Sequence, residues 1–136
     1  MRFDGKKVLV TGASRGIGRE VAGQFAAAGA RIAVHCRSDK DAARDTLAGL
    51  AGTGHMLCAG DVADAAVAEQ IVGQTIAGLG GLDILVNNAG IFEAHPVDEV
   101  SFEEWQTAWQ RTLAVNLTGP ANLCWCAVEH MRNHGG

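Results

Sequence analysis

The stretch that decides the fold is Lys6-Lys7-Val8-Leu9-Val10-Thr11-Gly12-Ala13-Ser14-Arg15-Gly16-Ile17-Gly18-Arg19. Its apolar run Val8–Val10 is typical of a buried strand. Apolar residues at helical spacing follow the three glycines and predict a helix with one apolar face, formed by Val21, Ala22, Phe25, Ala26 and Ala28. The order of strand, glycine loop and helix places a helix N-terminus where its free N–H groups and its dipole favour an anion such as phosphate.

The three glycines of this loop suit a close approach of the backbone to a ligand. Glycine permits positive φ and removes the Cβ that would otherwise keep a pyrophosphate away. The loop is not of the ATP-binding type, because no Lys-Ser or Lys-Thr pair follows the glycines. A tight strand-to-helix turn without a ligand is the alternative interpretation, since a glycine cluster alone has low specificity.

The rest of the chain alternates strands with helices. Strands are predicted at residues 6–11, 32–35, 55–59 and 83–86, and helices at 16–29 and 40–50. A further helix starts after Asp64, which can cap it, and stops at Gly80-Gly81. A loop is expected over 87–100. This alternation predicts an α/β fold with a doubly wound parallel sheet in a single domain.

The last third of the chain is predicted to be helical. Ser101 and Glu104 form a capping box, and Trp105, Trp109, Thr112 and Leu113 lie on one face. The apolar face is expected to continue with Leu117, Ala121, Cys124, Trp125, Val128 and Met131, where the tryptophans pack and do not stack on a ligand. Pro120 lacks an N–H, so it should kink the helix and free the carbonyl of Asn116.

Composition excludes several classes of protein. The chain has 136 residues with 11 Lys and Arg against 15 Asp and Glu, and this acidic balance gives no support for binding nucleic acid or an anionic membrane. It has no apolar run of membrane-spanning length and no secretory leader, so we expect a cytoplasmic protein whose four cysteines are free thiols. His130 and His134 lack an evident third ligand, and no metal site is expected.

Four motifs in the same order resemble the short-chain dehydrogenase/reductase family. They are Thr11-Gly12-(three residues)-Gly16-Ile17-Gly18, Asp61-Val62, Leu82-Asp83-Ile84-Leu85-Val86-Asn87-Asn88-Ala89-Gly90 and Val115-Asn116-Leu117. The resemblance runs over essentially the whole chain, yet it covers only about the first half of the family's domain. It implies one NAD(P)-binding, Rossmann-like domain over 1–136 with strand order 3-2-1-4, lacking the C-terminal strands and helices of that domain.

The resemblance also implies which residues would bind a dinucleotide. The pyrophosphate would be held by Thr11, Gly12, Ser14, Arg15, Gly16, Ile17 and Gly18. Asp61 and Val62 would contact the adenine, and the riboses would be lined by Asn88, Ala89, Gly90 and Ile91. Asn116 would be the asparagine of the catalytic tetrad, whose main-chain carbonyl holds a water in a proton relay. The alternatives are a simple turn at 88–90 and a helix cap at Asp61.

The end of the second strand favours NADP over NAD. An acidic side chain there would bind the ribose 2′-hydroxyl of NAD, but this chain has Cys36, Arg37 and Ser38. Arg15 of the glycine loop would lie near the same site, and arginine binds phosphate with bidentate hydrogen bonds. Nearby Asp39 weakens the argument, and a solvated role for Arg37 is the alternative.

The family's chemistry uses further residues that this sequence does not show. A serine, a tyrosine and a lysine would follow His134-Gly135-Gly136, which resembles the turn into the next strand, and the chain contains no tyrosine at all. We therefore expect an oxidoreductase that transfers hydride between NADP(H) and an alcohol or carbonyl substrate, with a 3-oxoacyl-thioester reductase as one option. The 136 residues alone are expected to be inactive. The alternative is a non-catalytic module that binds nucleotide or self-associates.

The predicted sheet leaves strand four at an edge. Its unpaired backbone groups along Ile84, Leu85 and Val86 are a template for pairing with another chain. The last helix is expected to expose Trp125 and its neighbours. We therefore expect the chain to be a homo-oligomer or to aggregate.

Overall fold

The computed structural model describes residues 2–134, which form a four-stranded parallel sheet covered by helices. The strands are β1 (Lys7–Val10), β2 (Arg31–Cys36), β3 (Met56–Ala59) and β4 (Ile84–Val86). Their order in the sheet is β3-β2-β1-β4, and all three pairings are parallel. The expected fold class and strand order are confirmed. Gly135 and Gly136, part of the turn expected after the last helix, lie outside the described residues.

Helices connect the strands and pack on both faces of the sheet. They are α1 (Gly16–Ala27), α2 (Lys40–Ala48), α3 (Ala65–Leu79), α4 (Phe102–Leu113) and α5 (Gly119–His134), with a π-helical turn at Ala114–Thr118 between the last two. Successive strand residues point to opposite faces, so Val8 and Val10 pack with α1 and α2, whereas Leu9 packs with α3 and α5. Two apolar cores therefore hold the sheet between them.

Two predicted strand ends lie just outside the strands because their side chains bond to neighbouring backbone. The carboxylate of Asp83, expected to begin strand four, accepts the N–H of Lys7 at 2.8 Å. The Nδ1 atom of His55, expected to begin strand three, accepts the N–H of Ile32 at 3.1 Å. Each side chain thus satisfies a backbone donor where the parallel ladder ends.

Helix α5 buries a different face from the one predicted. The inward ridge starts at Val115 of the π-helical turn and continues in α5 with Gly119, Leu123 and Ala127, and α5 packs on α3. The predicted apolar face is largely exposed to solvent, including Leu117, Ala121, Cys124, Trp125 and Val128. The exposure expected for Trp125 is confirmed, while the expectation that the tryptophans pack is wrong for this one.

The small residues of the inward ridge explain the choice of face. A Cβ built on Gly119 would lie 2.6 Å from the carbonyl oxygen of Val62 and 2.9 Å from that of Ala114. Only glycine lets the start of α5 lie this close to the segment after β3. That segment carries Asp61 and Val62, so the approach of α5 bears directly on the site described below.

No helix within residues 2–134 combines the length and apolar character needed to cross a bilayer. The same residues contain no group of three His, Cys, Asp or Glu side chains placed to hold a metal ion. The imidazoles of His130 and His134 stack on each other with ring centroids 4.3 Å apart.

We predict that Gly119→Ala destabilises the fold and Gly73→Ala does not. The added methyl at position 119 meets backbone oxygens, and overpacking of this kind costs about 1–3 kcal/mol. Gly73 lies in α3 with open space around its Cβ position. The same change there should stabilise by roughly 0.5–1 kcal/mol through helix propensity. Urea unfolding followed by circular dichroism measures both, and equal midpoints for the two variants would contradict the close approach.

Candidate functional site

A cavity of about 530 Å³ opens at the carboxyl ends of the strands. It lies where the connections diverge, because the chain leaves β1 towards β2 on one side and returns to β4 on the other. In doubly wound sheets this switch point is the usual place for a ligand. The lining residues are Gly12, Ser14, Arg15, Gly16, Ile17, His35, Cys36, Arg37, Ser38, Asp39, Gly60, Asp61, Val62, Asn88, Ala89, Gly90, Ile91, Arg111 and Val115.

The N-terminus of α1 faces this cavity without a side-chain cap. Arg15 is its N-cap residue and makes no capping bond, and no acidic side chain lies in the first turn. Helices α2, α3 and α4 are capped by Asp39, Asp64 and Ser101 in turn. The first N–H groups of α1 therefore stay available for an anion, which the helix dipole also favours.

Two glycines bring the loop against the segment that follows β4. Gly12 has φ +63°, and a Cβ there would lie 2.9 Å from the Cα of Ala89. A Cβ on Gly18 would clash with the Gly12 carbonyl and with the side chain of Asn88. Both positions thus require glycine because any Cβ would clash with neighbouring atoms, whether or not a ligand is bound.

Thr11 and Asn88 join the same two segments by hydrogen bonds. The hydroxyl of Thr11 accepts the N–H groups of Asn88 and Ala89, both at 3.0 Å, and donates to the Val86 carbonyl at 3.3 Å. The amide of Asn88 donates to the carbonyls of Thr11 at 3.0 Å and Gly12 at 3.1 Å. Both side chains are engaged within the protein, so they act by holding the floor of the cavity in place.

Asn116 holds the next part of that floor. Its Oδ1 accepts the N–H of Ile91 at 2.9 Å, and its Nδ2 donates to the Ile91 carbonyl at 2.8 Å. A kink was expected here, and the structure shows a π-helical turn: Pro120 has no N–H, and the Gly119 N–H bonds to Ala114, five residues back. The Asn116 carbonyl therefore has no α-helical donor four residues later.

Ion pairs lie on both sides of the cavity mouth. Arg15 and Asp39 are paired at 3.3 Å, and both side chains are largely exposed. Arg111 of α4 reaches Asp61 at 2.8 Å. Partial burial raises the pKa of Asp61, but the N–H of Ala63 and the charge of Arg111 outweigh it, so the pKa is below the usual range. Asp61 is therefore a carboxylate at neutral pH.

His35 lies buried beneath the glycine loop and bridges two walls of the cavity. Its Nδ1 accepts the N–H of Gly12 at 3.2 Å, and its Nε2 lies 2.9 Å from the Gly60 carbonyl. Since a carbonyl can only accept, Nε2 carries the proton and the ring is neutral. Burial lowers the pKa of His35, although the Gly60 carbonyl and Asp61 oppose this shift. A proton on Nδ1 would break the bond to the loop.

Comparison with known proteins identifies the family. The family model described as short chain dehydrogenase matches residues 6–136. The chain belongs to the short chain dehydrogenase family. It spans about half the length of the curated relatives it matches.

Relatives and solved structures agree with this membership. The 3beta-hydroxysteroid dehydrogenase 1 of Eggerthella lenta is 39% identical over 128 residues, which cover 93% of this chain and 48% of the relative. An uncharacterized oxidoreductase of Thermotoga maritima is 41% identical over 138 residues, which cover 100% of this chain and 52% of the relative. A Burkholderia cenocepacia short chain dehydrogenase solved in complex with NADP is 36% identical and superposes with a TM-score of 0.83. The match covers 96% of this chain and 52% of the Burkholderia chain.

The structure gathers most of the residues that the family resemblance implied. All of the expected cofactor residues line the cavity except Thr11 and Gly18, which are buried. Asn116, the expected catalytic residue, does not line it either. Sequence reasoning missed His35 and Arg111, which also line the cavity. A polar residue inside an apolar strand was a signal for His35. Nothing in the sequence connected Arg111 with Asp61, fifty positions earlier.

We predict that His35 makes the stability of the fold depend on pH. Its pKa is lower in the folded than in the unfolded chain, so the unfolded chain takes up the proton first as the pH falls below about 6.5. The melting temperature should therefore fall between about pH 7 and 5. His35→Asn keeps an acceptor for Gly12 but does not titrate, so its melting temperature should fall less over this range.

Differential scanning fluorimetry across this pH range measures the effect. His95→Asn, in the loop after β4 and outside the cavity, is the matched control and should keep the slope of the unmodified chain. Identical slopes for the unmodified chain and the His35 variant would show that His35 carries no pH dependence.

Proposed function

We propose that this chain is the dinucleotide-binding part of an NADP(H)-dependent oxidoreductase acting on an alcohol or carbonyl substrate. The observation that carries the proposal is the uncapped N-terminus of α1 at the switch point of the sheet, beside a glycine loop that leaves the approach open. Gly16 has φ +54° and nothing within 4 Å of its Cβ position, so the first turn is accessible to a pyrophosphate. The bound cofactor supplies or takes up the hydride.

In this proposal, different residues of the cavity bind different parts of the dinucleotide. Ser14 to Gly18 provide N–H groups for the pyrophosphate, and the exposed side chain of Ile17 offers an apolar contact at the same place. Asp61 and Val62, which follow β3 and line the cavity, are proposed to contact the adenine. The segment 88–91, which is bonded by Thr11 and Asn116, is proposed to line the riboses.

NADP is the preferred cofactor in this proposal. Arg15 of the glycine loop lines the cavity together with Arg37 and Ser38. The end of β2 has Cys36, Arg37 and Ser38 and lacks the acidic residue that would select NAD. Within residues 2–134 Arg37 forms no ion pair, so its guanidinium is available to a 2′-phosphate. The Burkholderia cenocepacia relative was solved with NADP.

We predict that the protein binds NADPH more tightly than NADH and that Arg37→Asp reverses the order. Each charge-assisted bond to the 2′-phosphate is worth about 1.5–3 kcal/mol, so the preference should exceed tenfold. Titration of the cofactor's fluorescence measures both affinities. Arg132→Asp, a charge reversal near the far end of α5, is the control and should leave the ratio unchanged. Equal affinities for the two cofactors in the unmodified protein would contradict the preference.

The substrate is proposed only at the level of its chemistry. The relatives include a 3beta-hydroxysteroid dehydrogenase, a glucose 1-dehydrogenase and a D-threitol dehydrogenase, and these names support a hydroxyl or carbonyl group as the reacting group. A 3-oxoacyl thioester, which has a ketone group, is one option for a carbonyl substrate. The carbonyl of Asn116, without an α-helical donor, could accept a hydrogen bond from a water of the proton relay. Because the 136 residues contain no tyrosine, we expect them to bind the cofactor without reducing a ketone.

The protein is further proposed to associate with copies of itself. Strand β4 pairs only with β1 among the described strands, and its other edge is unpaired there. On α5 and the turn before it, Leu117, Trp125 and Val128 are 60%, 69% and 51% exposed, which is unusual for large apolar side chains on one face.

We predict that the 136-residue chain elutes as a dimer or larger assembly and not as a 14.2 kDa monomer. Light scattering coupled to size-exclusion chromatography at micromolar concentration measures the mass. Trp125→Glu should shift the assembly towards monomer. Val97→Glu alters an apolar residue that is more exposed than Trp125 and lies in the loop after β4, and it should not change the assembly. A single monomer peak for the unmodified chain would contradict this proposal.

A further inference from the structure

We propose that His35 is a positioning residue of the cofactor site, which holds the glycine loop against the segment after β3 and weakens dinucleotide binding when the imidazole becomes protonated. The inference rests on the proposed function, because it requires that a dinucleotide binds in this cavity. It deepens that proposal by naming the residue that makes the affinity depend on pH. NADPH and NADH should be affected alike, since both contain the pyrophosphate that the loop is proposed to bind.

The imidazole of His35 joins the loop after β1 to the segment after β3. Its Nδ1 accepts the N–H of Gly12 at 3.2 Å, and its Nε2 donates to the Gly60 carbonyl at 2.9 Å. The main chain adds a second bond to each segment. The His35 carbonyl accepts the N–H of Ala13 at 2.8 Å, and the Cys36 carbonyl accepts the N–H of Gly60 at 3.0 Å. The end of β2 therefore holds both segments by main chain and side chain.

Both of these segments carry residues of the proposed cofactor site. Gly12 starts the loop that leads into the uncapped N-terminus of α1. Gly60 directly precedes Asp61, which lines the cavity. A dinucleotide that contacts both segments depends on their separation. His35 fixes this separation through a rigid ring that is only 1% exposed.

The described neighbours of His35 on the sheet side carry no charge. Cys58 lies opposite His35 in the register of β2 and β3, and burial raises the pKa of this thiol to about 12. Leu9 and Ile71 belong to the same apolar core as Cys58. The acidic residue of α3, Glu69, is exposed to solvent. Nothing on this side therefore stabilises a charged imidazole.

Five charged side chains line the cavity together with His35. They are Arg15, Arg37, Asp39, Asp61 and Arg111. Burial lowers the pKa of His35 and outweighs the opposing effects of the Gly60 carbonyl and Asp61. Both carboxylates are already paired, Asp61 with Arg111 at 2.8 Å and Asp39 with Arg15 at 3.3 Å. The neutral imidazole is therefore the stable form at neutral pH, and only acid converts it.

Protonation of Nδ1 turns the acceptor for the glycine loop into a donor. The N–H of Gly12 then faces another N–H, so the loop has to move away from β2. This movement misdirects the N–H groups at the start of α1, and the protonated form binds the pyrophosphate less well. By linkage, the affinity is complete above the pKa of His35 in the free protein and falls as the pH drops through it. The opposite sign follows if the positive charge beneath the loop mainly attracts the pyrophosphate.

His55 provides a matched control at the other end of β2. Its Nδ1 accepts the N–H of Ile32 at 3.1 Å, and its Nε2 lies 2.9 Å from the Ala51 carbonyl. These are the same two kinds of bond that His35 makes. His55 does not line the cavity. His55→Asn therefore alters a similar bridge without touching the proposed site.

Fluorescence titration of the 136-residue chain with NADH and NADPH, at about pH 7.5 and about pH 5.5, tests the proposal. NADH is the main probe, because the 2′-phosphate of NADPH itself titrates near a pH of about 6. Circular dichroism at each pH selects a temperature at which every variant is folded. The unmodified chain should bind NADH at least about threefold more weakly at the lower pH.

Two variants of His35 separate the hydrogen bonds from the charge. His35→Asn keeps an acceptor for Gly12 but does not titrate, whereas His35→Leu removes both bonds. At the higher pH, His35→Leu should weaken NADH and NADPH by at least about fivefold each, and His35→Asn should weaken them less. Neither variant should retain the pH dependence. His55→Asn should keep this dependence and bind within about twofold of the unmodified chain.

An affinity for NADH that stays constant or tightens at the lower pH would overturn the role of His35. Equal weakening by His55→Asn would overturn it too, because the effect would then come from general destabilisation. Failure of the proposed function gives a different pattern, in which the unmodified chain binds neither dinucleotide at the higher pH and both proposals are wrong.

Discussion

The hydroxyl of Thr11 is the contact on which the rest of the site depends. It is buried, and it binds three backbone groups of the segment 86–89 at once. In a parallel sheet the ends of β1 and β4 are joined only through a long crossover, so nothing local keeps their following loops together. The hydroxyl at the end of β1 joins them, because it accepts the N–H groups of Asn88 and Ala89 in that segment.

Further hydrogen bonds and close contacts connect Thr11 to the outer parts of the site. Asn88, placed by Thr11, bonds the Gly12 carbonyl and sets the path of the glycine loop into α1. Beyond it, Ile91 is bonded twice by Asn116 at the distorted turn before α5. Gly119 then lets α5 lie against Val62. The cavity floor is thus built by close backbone contacts between segments far apart in sequence.

Local patterns in the sequence were enough for the parallel sheet and the glycine loop, whereas the order of the strands was implied by the resemblance to the family. Apolar runs, glycine spacing and capping residues act over a few positions, so they can be read without the fold. The inward face of α5 could not be read this way, because the helix has two apolar faces. Only the close approach at Gly119 shows that the face with small residues is buried. Arg111 and His35 were missed for a related reason, since their partners come from other elements of the fold.

We propose that the link between the glycine loop and the segment after β4 builds the proposed cofactor site. The most direct test measures NADPH affinity, together with thermal stability, in Thr11→Val and Thr11→Ser. Valine has nearly the same shape but leaves the N–H groups of Asn88 and Ala89 without their acceptor, whereas serine keeps the hydroxyl. We expect valine to weaken NADPH binding at least tenfold and serine to stay within about twofold of the unmodified protein. A folded Thr11→Val variant that binds NADPH as tightly as the unmodified protein would contradict the claim.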